Sequence, residues 1–88
     1  MRISTLSAIA ILGTIVSVQP AMAASCYDLW YERNAIYNDN GYCFSTQLGE
    51  ETFDNSDCTT DRVRLSKSEQ RRVDRLKNQE DNRGCNVN

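Results

Sequence analysis

Apolar and polar positions change their spacing along this chain, and each change marks a part of it. From Leu6 to Val18 the residues are almost continuously apolar, interrupted only by Ser7, Gly13, Thr14 and Ser17. From Cys26 to Asn38 the spacing becomes helical: Cys26, Leu29, Trp30, Arg33, Ile36 and Tyr37 share one arc, with Tyr27, Tyr31 and Asn34 on the other side. Ser25, with Asp28 three residues on, supplies the cap for that helix, and Asn40-Gly41 its stop. Gly41-Tyr42-Cys43-Phe44 then alternates, which predicts a short extended segment over Tyr42–Ser45. Residues Gln47–Thr60 are acidic and turn-rich, with Leu48 and Phe53 as inward anchors.

A second helix opens at Ser66-Lys67-Ser68-Glu69, a capping box in which serine and glutamate each satisfy an orphan backbone N–H. It should run to about Asn82, with Gly84 as its stop. Leu65, Val73 and Leu76 form a thin apolar stripe, Glu69 and Glu80 lie on the same face, and Lys67, Arg71 and Arg75 lie opposite. So polar a helix must pack against something to be stable. The predicted fold is a small α-rich, disulfide-stapled domain, with two antiparallel helices around an irregular middle and little or no strand.

The apolar run at the N-terminus is an export signal. Met1-Arg2 supplies the positive start, Gln19-Pro20 breaks the run, and Ala21-Met22-Ala23 is an A-x-A cleavage site. The run is shorter than the ~20 residues a membrane span needs. Residues 1–23 are therefore expected to be a cleaved signal peptide and 24–88 one domain, periplasmic or secreted. Ala23-Ala24-Ser25-Cys26 also resembles a weak lipoprotein site, but lacks the bulky aliphatic residue favoured three positions before the cysteine. Lipidating Cys26 would also leave three cysteines in an oxidising compartment.

A chain of this size buries little apolar surface and needs covalent help. Four cysteines at wide spacing, with no C-x-x-C and no histidine, read as disulfides rather than a metal site. Three pairings are open. Antiparallel helices would bring Cys26 and Cys85 together, leaving Cys43 to pair with Cys58.

Charge divides the domain. From Ala24 to Thr60 seven carboxylates face Arg33 alone, whereas Asp61 to Asn88 carries eight basic side chains against five acidic ones. The overall balance is acidic, −2 for the whole chain, which argues against nucleic acid as a partner.

Candidate chemistry is sparse. Without histidine there is no Ser-His-Asp or Cys-His arrangement. Glu50-Glu51 and Asp54 with Asp57 offer paired carboxylates, but so small a chain can hardly build a cleft around them. Placing Gly41 at the sixth position of an EF-hand loop puts Ile36 where an aspartate is required, so that reading fails. Asp54-Asn55-Ser56-Asp57 supports at most a weak surface ion site, and no cofactor is expected. Lys67, Arg71 and Arg75, with Arg64 ahead of the helix, either grip an anionic polymer or form an ordinary wet face. Tyr27 and Tyr31, with Asn34 one turn on, either stack on a sugar or pack under the acidic loop. Arg33 lies on the apolar arc and calls for a carboxylate partner, Glu69 or Glu80, in a structural ion pair.

Arg33-Asn34-x-Ile36-Tyr37 followed by Gly41-Tyr42-x-Phe44 resembles the YARHG domain, a small bacterial module taken to be extracellular. Leu65-x-x-x-Glu69-x-x-x-Val73-x-x-Leu76-x-x-x-Glu80 resembles its closing helix. The five positions of the naming motif fall on Tyr37-Asn38-Asp39-Asn40-Gly41, of which the first and last agree. The resemblance implies an envelope-facing, non-enzymatic module that contacts a cell-wall component. The expected function is thus an exported binding or structural module touching peptidoglycan or another surface polymer. The alternative is a secreted inhibitor or interaction module acting on an envelope protein.

Overall fold

The computed structural model describes residues 24–88; the predicted signal peptide, residues 1–23, lies outside them. Three helices follow in order: α1 (Cys26–Asp39), α2 (Gln47–Thr52) and α3 (Lys67–Asn82).

The long helices begin where their caps dictate. The Ser25 hydroxyl accepts from the Asp28 N–H at 3.0 Å while the Asp28 carboxylate accepts from the Ser25 N–H at 3.3 Å. Ser66 and Glu69 make the same reciprocal pair at 3.1 and 2.9 Å, so each box satisfies donors that a helix start leaves open. At the far end of α1, Gly41 takes φ +85°, and a Cβ there would sit 2.5 Å from Thr59 Oγ1. Only glycine fits this exit, because the left-handed backbone and the close approach both exclude a side chain.

α1 and α3 pack antiparallel around Leu29, Ile36, Val73 and Leu76. Contacts along the seam set this direction. Asn40 at the end of α1 donates to Glu69 at the start of α3 (3.1 Å), and Cys26 at the start of α1 is bonded to Cys85 beyond α3. A second cluster of Trp30, Phe44 and Phe53 lies between α1 and the middle of the chain, and Tyr37 packs against both clusters.

The middle is more ordered than the sequence reading allowed, since α2 occupies part of the stretch expected to be irregular. The Thr46 hydroxyl caps it by accepting from the Gly49 N–H at 3.1 Å. Gly49 is buried, and a Cβ on it would come within 2.9 Å of the Phe44 ring, so the missing side chain is what lets α2 close on Phe44. Among the described residues, extended pairing amounts to one parallel bridge, Tyr42 with Thr60, in which Cys43 N–H donates to the Thr60 carbonyl at 2.7 Å. Asn55 completes the middle: its amide accepts from the Phe44 N–H at 3.0 Å and donates to the Phe44 carbonyl at 2.8 Å. A side chain thus plays the part of a neighbouring strand.

Two disulfides close the structure, Cys26–Cys85 with Cα atoms 5.4 Å apart and Cys43–Cys58 with Cα atoms 5.0 Å apart. The first staples the two long helices and the second staples the middle. This is the pairing that antiparallel helices require.

Candidate functional site

Tyr27 and Tyr31 lie one turn apart on α1 and remain 46 % and 43 % exposed. Their rings are 6.2 Å apart and rest on buried aromatics: Tyr27 on Trp30 at 5.5 Å, Tyr31 on Phe53 at 5.2 Å. Phe53 in turn stacks on Phe44 at 4.8 Å with only 14° between the planes. The tyrosines are therefore the outer face of a continuous aromatic body, not a layer beneath the acidic loop. Ring faces held in this way lose little freedom when they meet an apolar surface such as a sugar ring. The exposed carboxylates Asp28 and Glu32 flank them in sequence.

Asn34 is not part of that face. The middle of the chain folds over it, leaving it buried, and its Nδ2 donates to the Trp30 carbonyl at 2.8 Å. It lines instead a cavity of about 160 Å³, walled by Trp30, Arg33, Phe44, Ser45, Thr46 and Val87 among others. No local pattern in the chain announces this cavity, because Ser45 and Thr46 reach α1 only through the long-range fold.

Arg33 pairs with Glu80, Nε to Oε2 at 2.7 Å and Nη2 to Oε1 at 2.9 Å. The Glu80 carboxylate raises the guanidinium pKa, with burial working against it. Glu69 is not a partner of Arg33, which corrects the expectation that either glutamate could serve. Antiparallel packing sets Glu69 opposite Asn40, about two turns of α1 away from Arg33, and its carboxylate is taken by Asn40 and the Ser66 cap.

Lys67, Arg71 and Arg75 are all exposed, on the face of α3 turned from Val73 and Leu76. Arg72, beside them, pairs with Glu32 at 3.2 Å across the helix seam. In the acidic loop Asp54 accepts from the Ser56 N–H at 2.8 Å and hydroxyl at 2.9 Å, which holds its carboxyl below the usual range. Asn55 is committed to Phe44. These oxygens act within the turn, and among the described residues no cluster of three or more His, Cys, Asp or Glu side chains is placed to hold a metal ion.

Two long helices joined by one disulfide, a middle closed by a second, and a small split core define the class, a small α-rich stapled domain. The sequence profile of the YARHG domain matches residues 12–81, and the chain belongs to that family of small domains taken to be extracellular. No curated protein and no solved structure matches the chain significantly. Among the described residues no helix is long and apolar enough to cross a membrane.

Proposed function

We propose that the protein is an exported, non-enzymatic binding module of the cell envelope, touching peptidoglycan or another surface polymer through Tyr27 and Tyr31. The observation that carries this reading is the exposed tyrosine pair on its rigid aromatic base. A solvent-facing ring costs hydration in the free protein, and stacking on the apolar face of a sugar recovers it. Export agrees with two disulfides and with the A-x-A site before Ala24. With its sulfur bonded to Cys85, Cys26 has none to give to a lipid thioether, so release after Ala23 fits better than lipid anchoring. The absence of histidine, and the use of Glu80, Glu69 and Asp54 within the fold, support a binding rather than a catalytic role.

Co-sedimentation with purified sacculi tests the reading. The parent should pellet, and Tyr27→Ala/Tyr31→Ala should stay in the supernatant while still folding cooperatively, at a melting temperature lowered by the lost contacts with Trp30 and Phe53. A parent protein that ignores the polymer but captures one protein from envelope extract would favour the inhibitor alternative. Intact mass of exported protein checks the processing, with Ala24 expected as the first residue.

A further inference from the structure

Two buried polar groups on α1 stand without protein partners among the described residues. Asn34 is 7 % exposed and uses its Nδ2 on the Trp30 carbonyl, while its Oδ1 accepts from no donor there. Trp30 is 5 % exposed, and its indole N–H meets no acceptor there. Buried polar groups nearly always find a partner, because losing water without replacement is costly. Both residues line the same cavity of about 160 Å³. Phe44 and Val87 give that cavity apolar wall, and Ser45 and Thr46 bring hydroxyls to it. The Thr46 oxygen already accepts from Gly49, so its hydroxyl proton remains available to donate.

We infer that this cavity takes the acetamido group of an N-acetylated amino sugar, an assignment that rests on the glycan-binding reading above for its choice of sugar. A secondary amide brings an N–H for Asn34 Oδ1, a carbonyl oxygen for the indole N–H or the Thr46 hydroxyl, and a methyl for Phe44 and Val87. A bare hydroxyl supplies no methyl. An anion is disfavoured because Arg33, the charged side chain in the wall, is already held at two points by Glu80. Trp30 joins the two parts of the site, since it lines the cavity and packs against Tyr27.

Trp30 is the only tryptophan in the chain, so its fluorescence reads the cavity directly. The soluble protein with both disulfides intact is titrated with N-acetylglucosamine, glucosamine, glucose and N-acetylglycine amide. The expected result is a saturable change with N-acetylglucosamine, and binding of the two unacetylated sugars weaker by about tenfold or more. Val87→Phe, which narrows the cavity from the segment beyond Cys85, should abolish the response while leaving the melting temperature close to that of the parent. Equal weak responses to all three sugars would mean that the cavity holds only water, and would overturn the assignment. A stronger response to the peptide amide than to the sugar would overturn the amino-sugar part of it. Sacculi that bind without any response to free N-acetylglucosamine would sink this inference and leave the tyrosine platform standing. The sugar response without sacculus binding would do the reverse.

Discussion

The guanidinium of Arg33 and the carboxylate of Glu80 meet in parallel, fork to fork, across the seam between α1 and α3. Their side chains retain 19 % and 12 % exposure, so neither is fully stripped of water. Replacing Arg33 by Met leaves Glu80 facing an apolar seam with no counter-charge. The expected loss is on the order of 2 kcal/mol, lower than for a fully buried pair because solvent still reaches it. Arg33→Met/Glu80→Leu should recover most of that loss in a thermal melt. An unchanged melting temperature for Arg33→Met alone would show that the pair is dispensable.

The cap of α3 makes stability depend on acid. Ser66→Ala removes the acceptor for the Glu69 N–H and should cost about 1 kcal/mol. Hydrogen bonds from the Ser66 backbone and then from Asn40 hold the Glu69 carboxyl below its ordinary value of 4.5. The folded chain therefore binds that proton less tightly than the unfolded one. The stabilisation is fully present above pH 4.5 and is lost as pH falls through the lower folded value. Glu69→Gln should flatten this part of the acid limb, measured as melting temperature against pH. Arg33, with its pKa raised, stays charged throughout that range and adds no slope.

Asn55 holds the middle of the chain by a single side chain. Asn55→Ala removes both partners of the Phe44 backbone, one donor and one acceptor, in a partly buried place. A loss of about 2 kcal/mol is expected, together with faster exchange of the Phe44 amide proton. If that amide exchanges no faster in the variant, the clamp is not what protects it.

The staples differ in reach. Cys43–Cys58 closes a separation of 15 residues and Cys26–Cys85 one of 59. On the chain-entropy estimate they contribute about 3 and about 4 kcal/mol. Each is comparable to the net stability of so small a domain. Paired serine substitution at either bridge should leave the protein largely unfolded at physiological temperature by circular dichroism. Non-reducing peptide mapping of the parent should yield these two linkages, and a Cys26–Cys43 or Cys58–Cys85 peptide would overturn the helix arrangement.

Local chemistry made much of this legible. Ser25 with Asp28 and Ser66 with Glu69 announce the long helices, because a cap is written within four residues. α2 was hidden by its own composition: Gly49 at its centre and Glu50-Glu51 after it look like a loop. Thr46, an N-cap residue ahead of Leu48, was the available signal. The site was half legible. Helical spacing put Tyr27, Tyr31 and Asn34 on one side of α1, but spacing cannot say that the Phe44–Thr46 segment covers Asn34 and spares the tyrosines. The split between Glu69 and Glu80 was likewise hidden, since both occupy one face of α3 and only the register of two packed helices separates them.

The Cys26–Cys85 bond also ties nearly the whole described chain into a ring. A protease that cuts once anywhere inside this ring opens it without releasing a fragment. A cut in the acidic loop between Cys43 and Cys58 is spanned a second time, by the inner bridge. A nicked molecule would keep both halves of its core and its tyrosine face together, and the damage would show on a gel only after reduction. In a family of domains taken to be extracellular, that topology converts a proteolytic cut from a destructive event into a tolerable scar.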